Sequence, residues 1–249
     1  MAKRLRILAG PNGSGKSTIF ETLKNSKIFH WGVFVNADII EKTLREKQFL
    51  DITVYGINEF AWDDFINEYA VFIEAKQGLC KVDNLLYIDK RIIVINKNLI
   101  DSYLACFVAD YIRRSLLKAD KDITFSIGTV MSHPSKLEFM RKAKEKGFRI
   151  YLYYVSTSSS DINVGRVAVR VIRGGHNVSN EKIRSRYIKS LELLREAILL
   201  SDRAYIFDNS AASYKWIAEY DGKSGLISYK TSEIPTWVDY YINRPNYIA

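Results

Sequence analysis

The run Gly10-Pro11-Asn12-Gly13-Ser14-Gly15-Lys16-Ser17-Thr18 carries glycine, four residues, then Gly-Lys-Ser. That is the spacing of a phosphate-gripping P-loop. Glycines let the backbone curl tightly, so that several N–H groups converge on anionic oxygens. Lys16 is expected to neutralise the β- and γ-phosphates, and the Ser17 hydroxyl to ligate Mg²⁺. Such a loop needs a strand before it and a helix after it. "RLRILA" reads as a short buried strand and "STIFETLKN" as a helix start. An ordinary glycine turn would need neither.

Three further groups could act on what the loop holds. "WGVFVNAD", residues 31 to 38, reads as a second parallel strand with Asn36 and Asp38 at its carboxyl end. Ligands sit at that end of an open α/β sheet. Asp38 could serve Mg²⁺ or an acceptor hydroxyl, or could cap the helix "IIEKTLREK"; the two roles are compatible. Arg166, Arg170 and Arg173 precede Gly174-Gly175, a pattern for a hinged cationic flap that closes over phosphates and excludes water. Arg166 and Arg170 share a helix face, which could equally be a solvated one. Finally, "RAYIFDNS", residues 203 to 210, reads as a last core strand ending in Asp208-Asn209.

The elements between these groups follow from periodicity. Residues 39 to 77 read as mostly helical. "LLYI" and "IIVI" around Asp89-Lys90-Arg91 predict a β-hairpin within residues 81 to 98. A helical pattern runs to about residue 119, and "DITFSIG" (122 to 128) reads as a strand. The next helix has Ser135 and Glu138 spaced for a capping box and Gly147 as its stop. "RIYLYYVST" (149 to 157) is a buried strand. Two helical pieces follow, broken at Gly174-Gly175. In the second, Ile183, Tyr187, Leu191, Leu194 and Ile198 form an apolar face, with Arg184 and Arg186 off it. A peripheral hairpin and a short tail helix are expected after residue 211. The expectation is one α/β domain over residues 1–249, P-loop NTPase-like. Its sheet should be mainly parallel and flanked by helices, with a small β-hairpin insertion (81–98), an arginine-rich helical lid (160–180) and a peripheral segment (211–249).

Composition narrows the class. The 249 residues allow one sizeable core, and 47% hydrophobic with 13% aromatic content is that of a folded globular protein. No stretch approaches the ~18 apolar residues of a membrane span. Behind the basic "MAKRLR" only "ILA" is apolar, short of the about 7–15 residues of a signal peptide. Cys80 and Cys106 have neither metal nor disulfide spacing and read as buried small hydrophobes in a reducing cytoplasm. The net charge of +9 is dispersed, with no basic block and no nucleic-acid-binding signature. It favours a small anionic ligand over nucleic acid, and no membrane.

"GPNGSGKST" also suits ABC-type and DNA-repair ATPases. Those need an LSGGQ-like signature and a strand ending in Asp-Glu. Here "IYLYYVST" ends in Ser-Thr and "AYIFDNS" in Asp-Asn. The small-molecule kinase pattern remains.

"ILAGPNGSGKST", "VNADII", "FSIGTVMSHPSKLEFMRKAKEKGF", "RVAVRVIRGGHNVSNEKIRSRY" and "AYIFDNS" come in order between residues 5 and 210. In these pieces the chain resembles the zeta-toxin family of P-loop kinases, in its chromosomal zeta-like branch. The resemblance implies transfer of phosphate from ATP, or GTP, with Mg²⁺, to a sugar hydroxyl of UDP-N-acetylglucosamine. It also implies toxicity held in check by an antitoxin as a separate chain. By this likeness Gly10 to Thr18 would hold the triphosphate, with Arg166, His176 and Asn209 also on the nucleotide. Asp38 would be the general base, and Arg170 with His176 would form the lid. Asn36, Thr129, Ser132, Arg184 and Arg186 would line the acceptor side. One departure stands out. The family usually reads F-S-F-E-T-V-M-S-H where this chain has Phe125-Ser126-Ile127-Gly128-Thr129-Val130-Met131-Ser132-His133. Gly128 replaces a substrate-side Glu. A weakened enzyme, another acceptor, or a change that makes expression tolerable would each fit. So would a nucleotide-binding protein that no longer transfers phosphate and works through a partner.

Overall fold

A computed structural model describes residues 2–25, 30–57, 64–66, 82–119, 122–175 and 177–244. In chain order the elements are β1 (Arg4–Ala9), α1 (Lys16–Asn25), β2 (Val33–Val35), α2 (Ala37–Lys47), β3 (Phe49–Asp51), β4 (Leu85–Ile88), β5 (Arg91–Val94), α3 (Ser102–Leu117) and β6 (Thr124–Thr129). They continue as α4 (Ser135–Glu145), β7 (Arg149–Ser156), α5 (Ser160–Ile172), α6 (Asn180–Glu192), α7 (Leu194–Leu199), β8 (Arg203–Asp208), β9 (Lys215–Asp221) and β10 (Leu226–Tyr229). The larger sheet has the order β10-β9-β8-β7-β1-β6-β2. Its β1–β7, β7–β8 and β2–β6 pairs are parallel, and β9 and β10 continue it antiparallel from β8. The expected α/β architecture, a mainly parallel sheet flanked by helices, is what the chain adopts.

Two compact units divide the chain: residues 1–31 with 128–249, and residues 32–127. In the first, the central strands are apolar on both faces, as strands covered by helices must be. Leu5, Ile150, Leu152 and Tyr154 are fully buried. The predicted apolar face of Ile183, Tyr187, Leu191, Leu194 and Ile198 is buried throughout, although the helix breaks between Glu192 and Leu194. Gly147 stops α4 as expected, at φ +80°. The Phe148 N–H donates to the Ala143 carbonyl and the Gly147 N–H to the Lys144 carbonyl, the paired bonds of a Schellman ending. The Ser135–Glu138 capping box does not form. Pro134 holds the N-cap with helical φ −53°, so Ser135 is already inside the helix, and its N–H donates to His133 Nδ1.

The second unit holds the hairpin. β4 and β5 pair antiparallel through Asp89 (φ 49°) and Lys90 (φ 63°), both left-handed as a tight two-residue hairpin turn requires. A strand the sequence reading missed, β3, joins β5 on its other side. The helix expected over residues 39 to 77 accordingly stops at Lys47. Gln48 turns left-handed (φ 60°) and donates its N–H back to Leu44, and the chain then enters β3. Residues 64–66 are helical, and the rest of that stretch beyond residue 57 lies outside the described residues. Cys106 is exposed, not buried, because α3 turns Leu104, Ala105, Val108 and Ile112 inward instead. Cys80 lies outside the described residues. No helix among the described residues is long and apolar enough to cross a membrane.

Candidate phosphate-binding site

β1 runs out at Ala9 and α1 starts at Lys16, so residues 10 to 15 make the loop that the spacing predicts. Gly13 (φ +77°) and Gly15 (φ +94°) adopt left-handed backbone. Each is also pressed from behind. A Cβ on Gly13 would lie 2.5 Å from the Asn163 carbonyl oxygen, and one on Gly15 would lie 2.0 Å from Asn209 Nδ2. Only glycine fits either place. Lys16 curls over the loop, its Nζ donating to the carbonyls of Gly10 (2.7 Å) and Pro11 (2.8 Å). Ser17 and Thr18 are exposed in the first turn of α1, whose leading N–H groups have no partner within the helix. Ser14 is fully buried, and neither its Oγ nor Asn12 Oδ1 has a hydrogen-bond partner among the described residues. The glycine loop, the lysine over it, the start of α1 and the Ser14 hydroxyl fit a bound triphosphate.

Behind the loop stands a polar layer, buried at Thr157 and Asn163, that the sequence reading largely missed. Asn209 Nδ2 donates to the Ser14 carbonyl at 2.8 Å. Arg166 donates to the carbonyls of Asn209 (2.7 Å) and Ala211 (3.2 Å). Thr157 Oγ1 donates to Asn163 Oδ1 at 2.5 Å, and the Tyr187 hydroxyl donates to the Thr157 carbonyl at 2.7 Å. Burial pushes the Tyr187 phenol up to about 12, so it stays a proton donor. Asn163 could have been suspected from sequence. It is an amide between Ile162 and Val164 on a helix with a buried face, where a polar side chain needs a partner.

The flap residues separate into different roles. α5 and α6 share a small core of Val167, Val178 and Ile183, with Val164 and Val171 against it. Arg170 lies at the last turn of α5, against Gly175, whose N–H donates to the Arg170 carbonyl. Arg173 is exposed. Arg184 is in an ion pair with Asp161 (2.5 Å), and Arg186 is half-buried. His176 lies outside the described residues.

Gly128 and Thr129, expected on the acceptor side, end β6. Thr129 Oγ1 accepts from the Met131 N–H at 3.0 Å, and Met131 is left-handed (φ 54°) and buried. Ser132 is half-buried beyond that turn. Ser190 Oγ donates to the Val130 carbonyl at 2.7 Å and also meets the Tyr154 hydroxyl at 2.9 Å. In the second unit, Asn36 and not Asp38 caps α2. Asn36 is extended (φ −136°), and its Oδ1 accepts from the Asp38 N–H at 2.8 Å. Asp38 sits in the first turn of α2 with its side chain exposed.

Known proteins were compared with this chain. No family description matches the sequence. An uncharacterised protein from Haemophilus influenzae is 34% identical over 65 residues, 26% of this chain and 46% of that protein. Among solved structures, a chain of the AvrRxo1-ORF1:-ORF2 complex superposes with TM-score 0.60 at 13% identity, covering all of this chain and 66% of that one. The same complex with ATP gives TM-score 0.57 at 14% identity, covering 92% of this chain and 61% of that one. The chain shares its α/β fold with those solved chains. It spans about two thirds of the solved chains it superposes on, and its sequence match covers under half of the curated relative.

Proposed function

We propose that the chain is a zeta-toxin-like kinase that moves the γ-phosphoryl group of ATP, or GTP, to a hydroxyl of a nucleotide sugar such as UDP-N-acetylglucosamine. The observation that carries this reading is the loop itself. Two left-handed glycines are fixed by Asn163 and Asn209, and Lys16 is folded across the rim. The AvrRxo1 structure solved with ATP supports a nucleotide as the occupant. The +9 charge suits an anionic acceptor.

In this mechanism the loop amides and Lys16 bind and orient the triphosphate. Asp38 takes the proton from the acceptor hydroxyl, whose oxygen bonds to the γ-phosphorus. The bond from that phosphorus to the β–γ bridging oxygen breaks, and the nucleoside diphosphate leaves. Arg170 shields the developing charge and helps keep water out. Mg²⁺ supplies charge neutralisation when bound, with Ser17 and Asp38 as its protein ligands. Among the described residues no cluster of three or more His, Cys, Asp or Glu could form a cage. That suits a metal held by one or two side chains and the phosphates. Asn36, Thr129, Ser132, Arg184 and Arg186 are the acceptor-side candidates. The chain works as one catalytic domain in the cytoplasm, with the end of the 160–180 segment, from Arg170 on, as lid and a separate antitoxin as partner.

Gly128 favours a second reading, a nucleotide-binding protein acting through a partner, since it offers no carboxylate at the end of β6. Incubation with labelled ATP and a panel of UDP-sugars, nucleosides and cofactors separates the two. Label on a UDP-sugar supports the kinase; nucleotide binding with no labelled acceptor supports the partner-binding protein.

A further inference from the structure

α5 meets the phosphate loop at Asn163 and the turn after β8 at Arg166, and residues three apart lie on one helix face. The first is Asn163, fully buried, whose carbonyl oxygen stands where a Cβ of Gly13 would be. Its Oδ1 is fixed by Thr157, and Thr157 in turn by the Tyr187 hydroxyl. The second is Arg166, whose guanidinium bridges the carbonyls of Asn209 and Ala211.

That bridge fixes more than a turn. The Asn209 N–H donates to the Ser156 carbonyl at 2.8 Å, so the residue is pinned from both sides. Its neighbour Ser210 bonds Asp208 through both its N–H and its Oγ, and accepts from the Ser158 N–H at 2.8 Å. With its backbone stapled, Asn209 holds its amide on the Ser14 carbonyl and under Gly15. Both terminal nitrogens of the Arg166 guanidinium are engaged by carbonyl oxygens of the turn after β8.

We propose that Asn163 and Arg166 are positioning residues. α5 braces the phosphate loop from behind, Asn163 directly and Arg166 through Asn209, so Arg166 is not a phosphate ligand. Only the naming of the loop's occupant rests on the function proposed above.

Hydrogen exchange on the nucleotide-free full chain tests the brace without a ligand. Arg166→Met and Asn209→Ala should each speed exchange of the amides of residues 12–19 at least tenfold, with β7 unchanged. The double variant should be no faster than the quicker single, because one strut is being cut twice. Arg166→Lys, which can still reach one carbonyl, should fall between. Loop exchange unchanged in Arg166→Met, or an additive double variant, overturns the proposal. Should Arg166→Met not fold, Arg166→Lys and Asn209→Ala carry the same comparison. A second arm measures binding of Mg-ATP and Mg-ADP. A brace weakens both by the same factor, about tenfold, or about 1.4 kcal/mol. Loss confined to ATP means direct contact with the γ-phosphate and overturns it. If the unmutated chain binds neither nucleotide, the proposed function fails, while the exchange measurement still decides the brace.

Discussion

Gly15 and Asn209 occupy each other's space: a Cβ on the glycine would lie 2.0 Å from the amide nitrogen that holds the Ser14 carbonyl. Gly15→Ala must therefore break that bond and strain a backbone at φ +94°. Calorimetric titration should show Mg-ATP binding weakened at least tenfold. Retained affinity would show that Asn209 does not shape the loop.

Mg-ATP at about 100 times its Kd should stabilise the chain by about 2.7 kcal/mol. For a chain of this size that is about 5–10 °C in Tm. Lys16→Ala should remove most of the shift, because Lys16 is the cation folded over the loop carbonyls. A thermal melt with and without nucleotide checks it.

Asp38→Asn leaves the α2 cap intact, because Asn36 makes that bond to a backbone N–H. Nucleotide binding and Tm should stay as they are, while transfer falls by about 10²-fold or more, the usual worth of a general base. Full-rate transfer by Asp38→Asn would remove Asp38 from the chemistry.

Gly128→Glu returns a carboxylate to the end of β6. One hydrogen-bonded charge is worth about 1.5–3 kcal/mol, or about ten- to a hundredfold in acceptor binding. Growth arrest on expression and phosphate transfer to UDP-N-acetylglucosamine should both rise. If neither protein arrests growth nor transfers phosphate to any acceptor, the partner-binding reading replaces the kinase.

Alkaline pH should loosen both units. Burial raises the phenols of Tyr187, in the first unit, and Tyr111, in the second, from 10.0 to about 12. The unfolded chain gives up these protons first. Their stabilisation is therefore complete below pH 10 and is lost as pH rises toward about 12. Urea denaturation between pH 9 and about pH 12 should show that fall, and Tyr187→Phe should reduce it.

The loop and the parallel sheet were legible because their signals are local. Gly10 to Ser17 has a fixed spacing, and strands such as Arg149–Ser156 are apolar runs between helical periods. β3 was hidden because three residues carry no periodicity and its stability comes from pairing with β5, forty or more positions on. The capping box failed because Pro134, with its φ preset, began the helix one residue early. The brace was the least visible part. Asn209 was legible as the polar end of a strand, but its partner Ser14 lies 195 positions away. Nothing in either local sequence marks that contact.

That separation has a consequence for the newborn chain. The loop sequence leaves the ribosome before Asn163, Arg166 and Asn209, which shape it. At about 5–20 residues per second, the 195 positions between Ser14 and Asn209 take about 10–40 s to synthesise. During that time the nascent chain carries a phosphate motif without its support. A translation product broken off before β8 should therefore be inert toward nucleotide, although it carries the whole of the P-loop motif.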